Sequence, residues 1–408
     1  MDPKDQERWQ ALALEAGRVF TPNTPIDEKS LFTGRVAQIR RVVDVIRQSG
    51  QHAIVFGERG VGKTSLANVL HEFLGKAHSK VSAPRINCDS ADSFGTTWRK
   101  AFEQVEVTRR ESAAGFSGAE ESTTCDATTL LGTGPIRPDS VKRVLTELSR
   151  DLLLIVIIDE FDRLPQRARR AFADTIKTLS DHAVPATVVL VGVADSVEQL
   201  VEEHQSVSRA LVQIQMPRMT PQEIGTIIDS GLNRLGMTID VSARERIVLL
   251  AQGLPHYAHL IGLHAARYAL DQQIMTITLD IVAYAIASAI EDAQRSIKTA
   301  HGAAIRSARK DNLFREVLLS CALAPIDDLG FFAAADVREP LRKITRKNYD
   351  IPSFAQHLNE FSDEKRGRIL RKIGERRRYR YRFSDPLMQP FVIMQGVVDQ
   401  IIPEELFG

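Results

Sequence analysis

The feature that most constrains this chain is an eight-residue stretch, Gly57-Glu58-Arg59-Gly60-Val61-Gly62-Lys63-Thr64, with a distinctive setting on both sides. Before it, Ala53 to Phe56 is a short apolar run that ends at a glycine and reads as a buried strand. After it, Leu66, Val69, Leu70, Phe73 and Leu74 recur at i, i+3, i+4, i+7 and i+8, which predicts a helix opening at Lys63. Strand, glycine-rich turn and helix form the first half of a βαβ unit, and a turn of this spacing suits one kind of ligand. Its glycines let backbone N–H groups wrap phosphates, from Gly57 through Ser65. Lys63 is then placed for the β- and γ-phosphates, and the Thr64 hydroxyl for Mg²⁺.

The rest of the N-terminal half repeats the alternation. Val36, Ile39, Val43 and Ile46 share a helical face, and Val81–Asn87 reads as a second strand followed by helical spacing near Trp98 to Val105. Leu152 to Ile158 is apolar on both faces, as a strand in the middle of a parallel sheet must be. A helix over about 167–180, a strand Thr187–Val193 and a fifth at Val212–Met216 complete an α/β pattern. Residues 108–138, rich in Ser, Thr, Gly and Ala, are expected to be a mobile surface insertion within it. From Thr220 the pattern turns helical, and 220–300 reads as a small bundle. Beyond it, helical segments precede two short basic stretches, Arg368–Ile373 and Arg376–Phe383, around Gly374-Glu375, a helix-rich domain with a hairpin. The expected domains are a lead-in (1–30), an α/β core around the glycine turn (31–218), a helical bundle (219–305) and a winged-helix-like basic domain (306–408).

The strand at Leu152 ends in adjacent carboxylates. An open parallel sheet presents ligands at its carboxyl edge, so Asp159 is expected to hold Mg²⁺ and Glu160 to orient or deprotonate an attacking water. The strand at Thr187 ends at Asp195, which either reads the γ-phosphate at the sheet edge or, with Ser196, caps the next helix. Phosphoryl transfer needs positive charge on the transferring group, and Arg209 is the first candidate to supply it to an adjacent subunit, with a surface ion pair as its other reading and Arg218 as a weaker alternative. His256, at a turn into a helix, is either a weak phosphate contact or a capping-region histidine.

Net charge is only +1, yet residues 361–382 hold ten Lys or Arg against three acids. In Arg376-Arg377-Arg378-Tyr379-Arg380-Tyr381-Arg382-Phe383 the strand period puts Arg376, Arg378, Arg380 and Arg382 on one face and the aromatics on the other. Residues at i and i+2 lie about 7 Å apart, close to the interval between phosphates along one nucleic-acid strand. A duplex-contacting wing and a solvated or protein-binding edge both fit. Composition is that of an ordinary globular chain, 43% hydrophobic and 26% charged, and the longest apolar run is far shorter than the ~20 residues that cross a bilayer. With no secretory leader and three scattered cysteines, a cytoplasmic protein with reduced thiols is expected, with no disulfide framework or zinc site.

On these residues the chain resembles AAA+ ATPases of the origin-recognition-like group and overlaps with the signalling ATPases called STAND. Phe32-Thr33-Gly34-Arg35 is similar to that group's box beside the adenine, which places Arg35 there, and Asp159-Glu160-Phe161-Asp162 is similar to its Walker B sequence. The resemblance implies a parallel-sheet P-loop core, a helical lid and a C-terminal winged helix. It also implies ATP and Mg²⁺ as ligands, a homo-oligomer and double-stranded DNA as partner, or, in the STAND manner, slow or no hydrolysis and a protein effector. The family's usual asparagine and arginine are replaced by Asp195 and His256, which weighs against rapid turnover. No Asn-Lys-x-Asp guanine signature occurs, which favours ATP over GTP, and no pore-loop signature points to an unfoldase.

Overall fold

The computed structural model describes residues 3–22, 35–77, 81–112, 120–194, 207, 209–307, 312–327, 329–375 and 378–403. The chain divides into a sheet unit, Ile26–Gly57 with Lys63–Met216, and a helical unit, Met1–Pro25 with Glu58–Gly62 and Pro217–Gly408.

In the sheet unit the strands are β1 (His52–Gly57), β2 (Val81–Ser82), β3 (Arg85–Asn87), β6 (Leu153–Asp159), β7 (Ala186–Val193) and β8 (Leu211–Gln215). The expected second strand is broken: Pro84, which has no N–H to give a ladder, separates β2 from β3, and both pieces pair in parallel with β6. The order is β2/β3, β6, β7, β1, β8, every pair parallel. β1 is buried along its length and β6 and β7 at all but one residue each, which is why they read as unbroken apolar runs. Because β7 lies between β1 and β6, the glycine turn and the acidic strand end stand two strand spacings apart, about 10 Å. Helices α2 (Val36–Ile46), α3 (Lys63–Ala77), α4 (Phe94–Glu103), α5 (Pro138–Leu148) and α6 (Gln166–Asp181) connect the strands. An aromatic cluster, Trp98 stacked on Phe172 and Phe102 with Phe94 and Phe161 packed on Phe172, belongs to this core.

Most of the described residues of the expected insertion form regular structure. Strands β4 (Glu106–Ser112) and β5 (Glu120–Asp126) pair as an antiparallel hairpin, and a turn at Ala127–Leu130 returns the chain to the core, with Ala127 fully buried and Leu130, Leu131 and Ile136 packed on the main cluster. Two-stranded pairing satisfies the backbone of Thr- and Ser-rich sequence without an apolar face, so no hydrophobic period announces it.

The helical unit opens with α1 (Pro3–Val19), where a polar lead-in was expected. Ala16, Val19 and Phe20 are buried, and the Phe20 ring sits where a Cβ on Gly231 or Gly262 would clash at 2.5 and 2.7 Å. The bundle continues with α7 (Pro221–Arg234), begun by a Thr220–Glu223 capping box, then α8 (Val241–Ala251), α9 (Pro255–Asp271), α10 (Leu279–Asp292) and α11 (Arg295–Ile305), with a short parallel pair β9 (Thr238–Ile239) and β10 (Thr276–Ile277). The C-terminal part runs α12 (Phe314–Ala322), β11 (Phe332–Ala333), α13 (Arg338–Thr345), α14 (Ile351–Phe361), β12 (Leu370–Ile373), β13 (Arg380–Phe383) and α15 (Met388–Val398). β13 pairs antiparallel with both β11 and β12, so the two basic stretches form a hairpin and β11, which the sequence pattern did not announce, adds a third strand to it. Among the described residues no helix is long and apolar enough to cross a membrane.

Candidate functional site

The glycine turn has the backbone that its sequence predicts. Gly57, Gly60 and Gly62 have φ of 156°, 86° and 91°. A Cβ on Gly57 would lie 2.4 Å from the Met216 carbonyl oxygen, so only glycine lets β1 pass there. Lys63, 7% exposed, starts α3 and donates from Nζ to the Gly57 carbonyl at 3.0 Å, so its ammonium is folded back over the turn that it would serve. Thr64 and Ser65 follow it in the first turn of the helix, half-buried.

Asp159 closes β6, and its side chain is 3% exposed. Oδ1 accepts the Glu160 N–H at 2.8 Å and Oδ2 accepts Arg85 Nη2 at 2.8 Å. Glu160 follows in the left-handed region, φ 54° and ψ 36°, with its side chain about half exposed and paired to Arg163 at 2.8 Å. That conformation costs a non-glycine residue about 1–3 kcal/mol. The next residue, Phe161, is fully buried with its edge on Phe172, and burial of such a ring returns about 1.5–3 kcal/mol. Asp162 then accepts the Val193 N–H at 2.8 Å, tying the acidic turn to the end of β7. The neighbouring thiol, Cys88, is pushed up to about 12 by burial and by Asp92, and stays protonated and inert.

The oxygens of Thr64 and Asp159 are hard donors of the kind Mg²⁺ takes, and the described residues contain no group of three or more His, Cys, Asp and Glu able to cage a metal. A divalent ion held here would therefore complete its shell with phosphate and water oxygens, as Mg²⁺ does.

Glu58 to Gly62 belong to the helical unit. Glu58 accepts Arg218 Nε at 2.7 Å, both side chains nearly enclosed, and Arg218 Nη1 also donates to Gln389 Oε1 at 2.6 Å and to the Gln252 carbonyl at 3.3 Å. Arg59, exposed, pairs with Asp385 at 3.3 Å, and Gly60 approaches Leu387, whose carbonyl accepts the Tyr257 hydroxyl at 2.6 Å. Arg218 is thus committed inside its own chain and is not available to a neighbour. The sequence holds no periodic sign of this network, because its paired members lie between 34 and 326 positions apart.

His256 begins α9 and donates from Nδ1 to the Pro22 carbonyl at 2.7 Å. Burial lowers its pKa, which keeps the imidazole neutral near pH 7. It lines a cleft of about 400 Å³ with Phe20, Pro22, Leu260, His264 and Arg267. Arg35 is buried, at φ 61°, immediately before α2, while Phe32 to Gly34 lie outside the described residues. Arg209 is exposed just ahead of β8, and Asp195 lies outside the described residues.

Of the arginine face, Arg376 is outside the described residues. The alternation holds at the others, with Tyr381 and Phe383 buried, Arg378 and Arg380 exposed and Arg382 half-buried. Arg380 pairs with Asp327 at 2.9 Å and donates to the Phe331 carbonyl, and Arg382 lies over the Phe331 ring, 4.8 Å from its centre. Two of the four are therefore partly engaged by the 327–331 loop of their own domain. Arg85 was missed from sequence, although a lone arginine in a predicted strand two pairs from an acidic strand end was the available signal.

Two archaeal structures match nearly the full chain at the level of fold. The ORC2 protein of Aeropyrum pernix, solved in ADPNP–ADP complexes, has a TM-score of 0.50 at 16% identity, covering 96% of this chain and 98% of its own. A Walker-type ATPase of Pyrococcus abyssi has a TM-score of 0.51 at 14% identity, covering 92% and 99%. A search among curated protein sequences gives no significant match. The model of the family described as Novel STAND NTPase 1 matches residues 24–321, which takes in the glycine turn, the Asp159-Glu160 pair and the helical bundle, and the chain belongs to that family of P-loop NTPases.

Proposed function

We propose that this chain is a Mg²⁺- and ATP-dependent molecular switch that converts ATP to ADP and phosphate and delivers its output through the C-terminal domain. The observation that carries this reading is the engagement of the glycine turn: Glu58 and Arg59, two of the four residues between Gly57 and Gly62, pair with Arg218 and Asp385, and Arg218 also binds Gln389 on α15. A ligand that draws the turn's backbone N–H groups toward phosphates pulls on those pairs. In this reading Gly57 to Ser65 bind the phosphates, Lys63 neutralises the β- and γ-phosphates, and Thr64 with Asp159 holds Mg²⁺. Bound metal supplies charge stabilisation to the transferring phosphoryl group. Glu160 orients the attacking water, Arg209 reaches the site of an adjacent subunit, and Arg35 and His256 border the nucleotide, with Asp195 at the sheet edge as a further polar group.

The partner that we infer for the tail is duplex DNA, bound through a winged helix whose hairpin presents Arg378 and Arg380. A second reading is a STAND-type signalling or scaffold protein that holds nucleotide, hydrolyses it slowly and binds a protein effector. It is favoured by the pairing of both carboxylates, Asp159 with Arg85 and Glu160 with Arg163, and by the commitment of Arg380 and Arg382 to their own domain.

One experiment separates these readings: ATP turnover by the full chain, titrated with duplex DNA, beside Lys63→Ala and an Arg378→Ala/Arg380→Ala variant. The switch reading expects no nucleotide binding by Lys63→Ala, DNA-stimulated turnover, and duplex binding that falls with salt and weakens in the arginine variant. Retained ATP affinity in Lys63→Ala removes the nucleotide assignment. Turnover and duplex binding indifferent to DNA and to the arginines leave the scaffold reading.

A further inference from the structure

The carboxylate assigned to the metal already carries a cation. Arg85 Nη2 lies 2.8 Å from Asp159 Oδ2, with the two side chains 18% and 3% exposed. The backbone that carries this guanidinium is held on both sides. The parallel pairing of Arg85 with Ile157 fixes its strand, and the Gln104 side-chain amide grips its backbone, accepting from the Arg85 N–H and donating to its carbonyl, each at 3.0 Å. Arg85 Nε is buried and has no hydrogen-bond partner among the described residues, so the fork is turned into the protein rather than out to solvent. The other Asp159 oxygen is taken by the Glu160 N–H.

We propose that Arg85 is the resident counter-charge of Asp159 and sets the amount of divalent cation the site requires. Mg²⁺ arriving on Asp159 would share one carboxylate with the Arg85 guanidinium, so each cation weakens the other's hold and the metal-loaded state is reached only at raised Mg²⁺. Arg85 is a positioning residue here, acting on the metal through Asp159, and the inference rests on the nucleotide site proposed above.

The test is the affinity of the full-length chain for a fluorescent non-hydrolysable ATP analogue, measured across a Mg²⁺ titration for wild type, Arg85→Lys and Arg85→Gln. The half-saturating Mg²⁺ concentration is expected to fall about tenfold in Arg85→Gln, near the low end of coupling between adjacent ligands, and by a smaller factor in Arg85→Lys, which keeps a cation on a shorter reach. Melting curves without nucleotide show whether each variant folds, and Arg85→Lys alone still gives the direction where Arg85→Gln does not. An unchanged or raised Mg²⁺ requirement, with analogue binding intact, overturns the role of Arg85. A wild-type chain that binds no analogue at any Mg²⁺ concentration sinks the nucleotide site, and this inference with it.

Discussion

Replacing Glu58 by Ala should destabilise the helical unit by about 3 kcal/mol, and the geometry sets that figure. Glu58 and Arg218 are 7% and 12% exposed at a 2.7 Å contact, and removing one member of a buried pair costs about 3–5 kcal/mol because the other charge stays behind unpaired. Here the abandoned guanidinium keeps two neutral acceptors, Gln389 Oε1 and the Gln252 carbonyl, which places the loss at the low end. Arg218→Met strands the Glu58 carboxylate instead and should cost a similar amount. The double variant leaves no lone charge, so it should cost about 1–2 kcal/mol, a coupling of more than ~2 kcal/mol in a double-mutant cycle. Urea unfolding of the full chain in a Trp98→Phe background reads this, since the chain's other tryptophan, Trp9, lies on α1 of the helical unit. Single-variant losses under about 0.5 kcal/mol, or strictly additive ones, would refute the view that this pair is enclosed and that it anchors the glycine turn.

Gly330→Ala should cost about 2 kcal/mol, because φ is +77° there and a Cβ would stand 2.3 Å from Glu58 Oε1. Repeated in the Glu58→Ala background, the steric part should vanish and leave the backbone strain, about 1 kcal/mol; an unchanged cost would place the clash elsewhere. Burial lowers the pKa of His52 and of His259 to about 4, one in each unit. Both folded values are depressed, so their stability is whole above about pH 6.5 and is lost as pH falls toward 4, by about 2 kcal/mol per unit at pH 5. Melting temperatures at pH 7 and pH 5 should therefore drop in wild type and drop less in His52→Asn, which keeps an acceptor for the Val188 N–H now bound by His52 Nδ1 at 3.0 Å.

Local pattern was enough wherever one segment's own periodicity dictated its neighbours. The runs that became β1, β6 and β7 announced a sheet covered on both faces, the Lys63 helix followed from its apolar stripe, and Thr220 with Glu223 marked the start of α7. The α/β class and the glycine turn were legible for that reason. The helix α1 was also written in its spacing, from Trp9 through Leu12, Ala16, Val19 and Phe20, but its polar surroundings hid it, and only Gly231 and Gly262 opposite Phe20 show why it docks.

What tertiary structure decided was the state of each charged group. Sequence put Asp159 and Glu160 at a strand end and left both open to ligands; the fold placed Arg85 against one and Arg163 against the other. It put arginines on one face of a strand, and the 327–331 loop then claimed two of them. It treated Glu58 and Arg59 as spacers between glycines, whereas the folded chain ties them to Arg218 and Asp385, 160 and 326 positions away. Hydrophobic burial is read from spacing because it needs only one face of one element, while an ion pair needs two specific groups within about 4 Å, and only the closed chain brings distant residues that near.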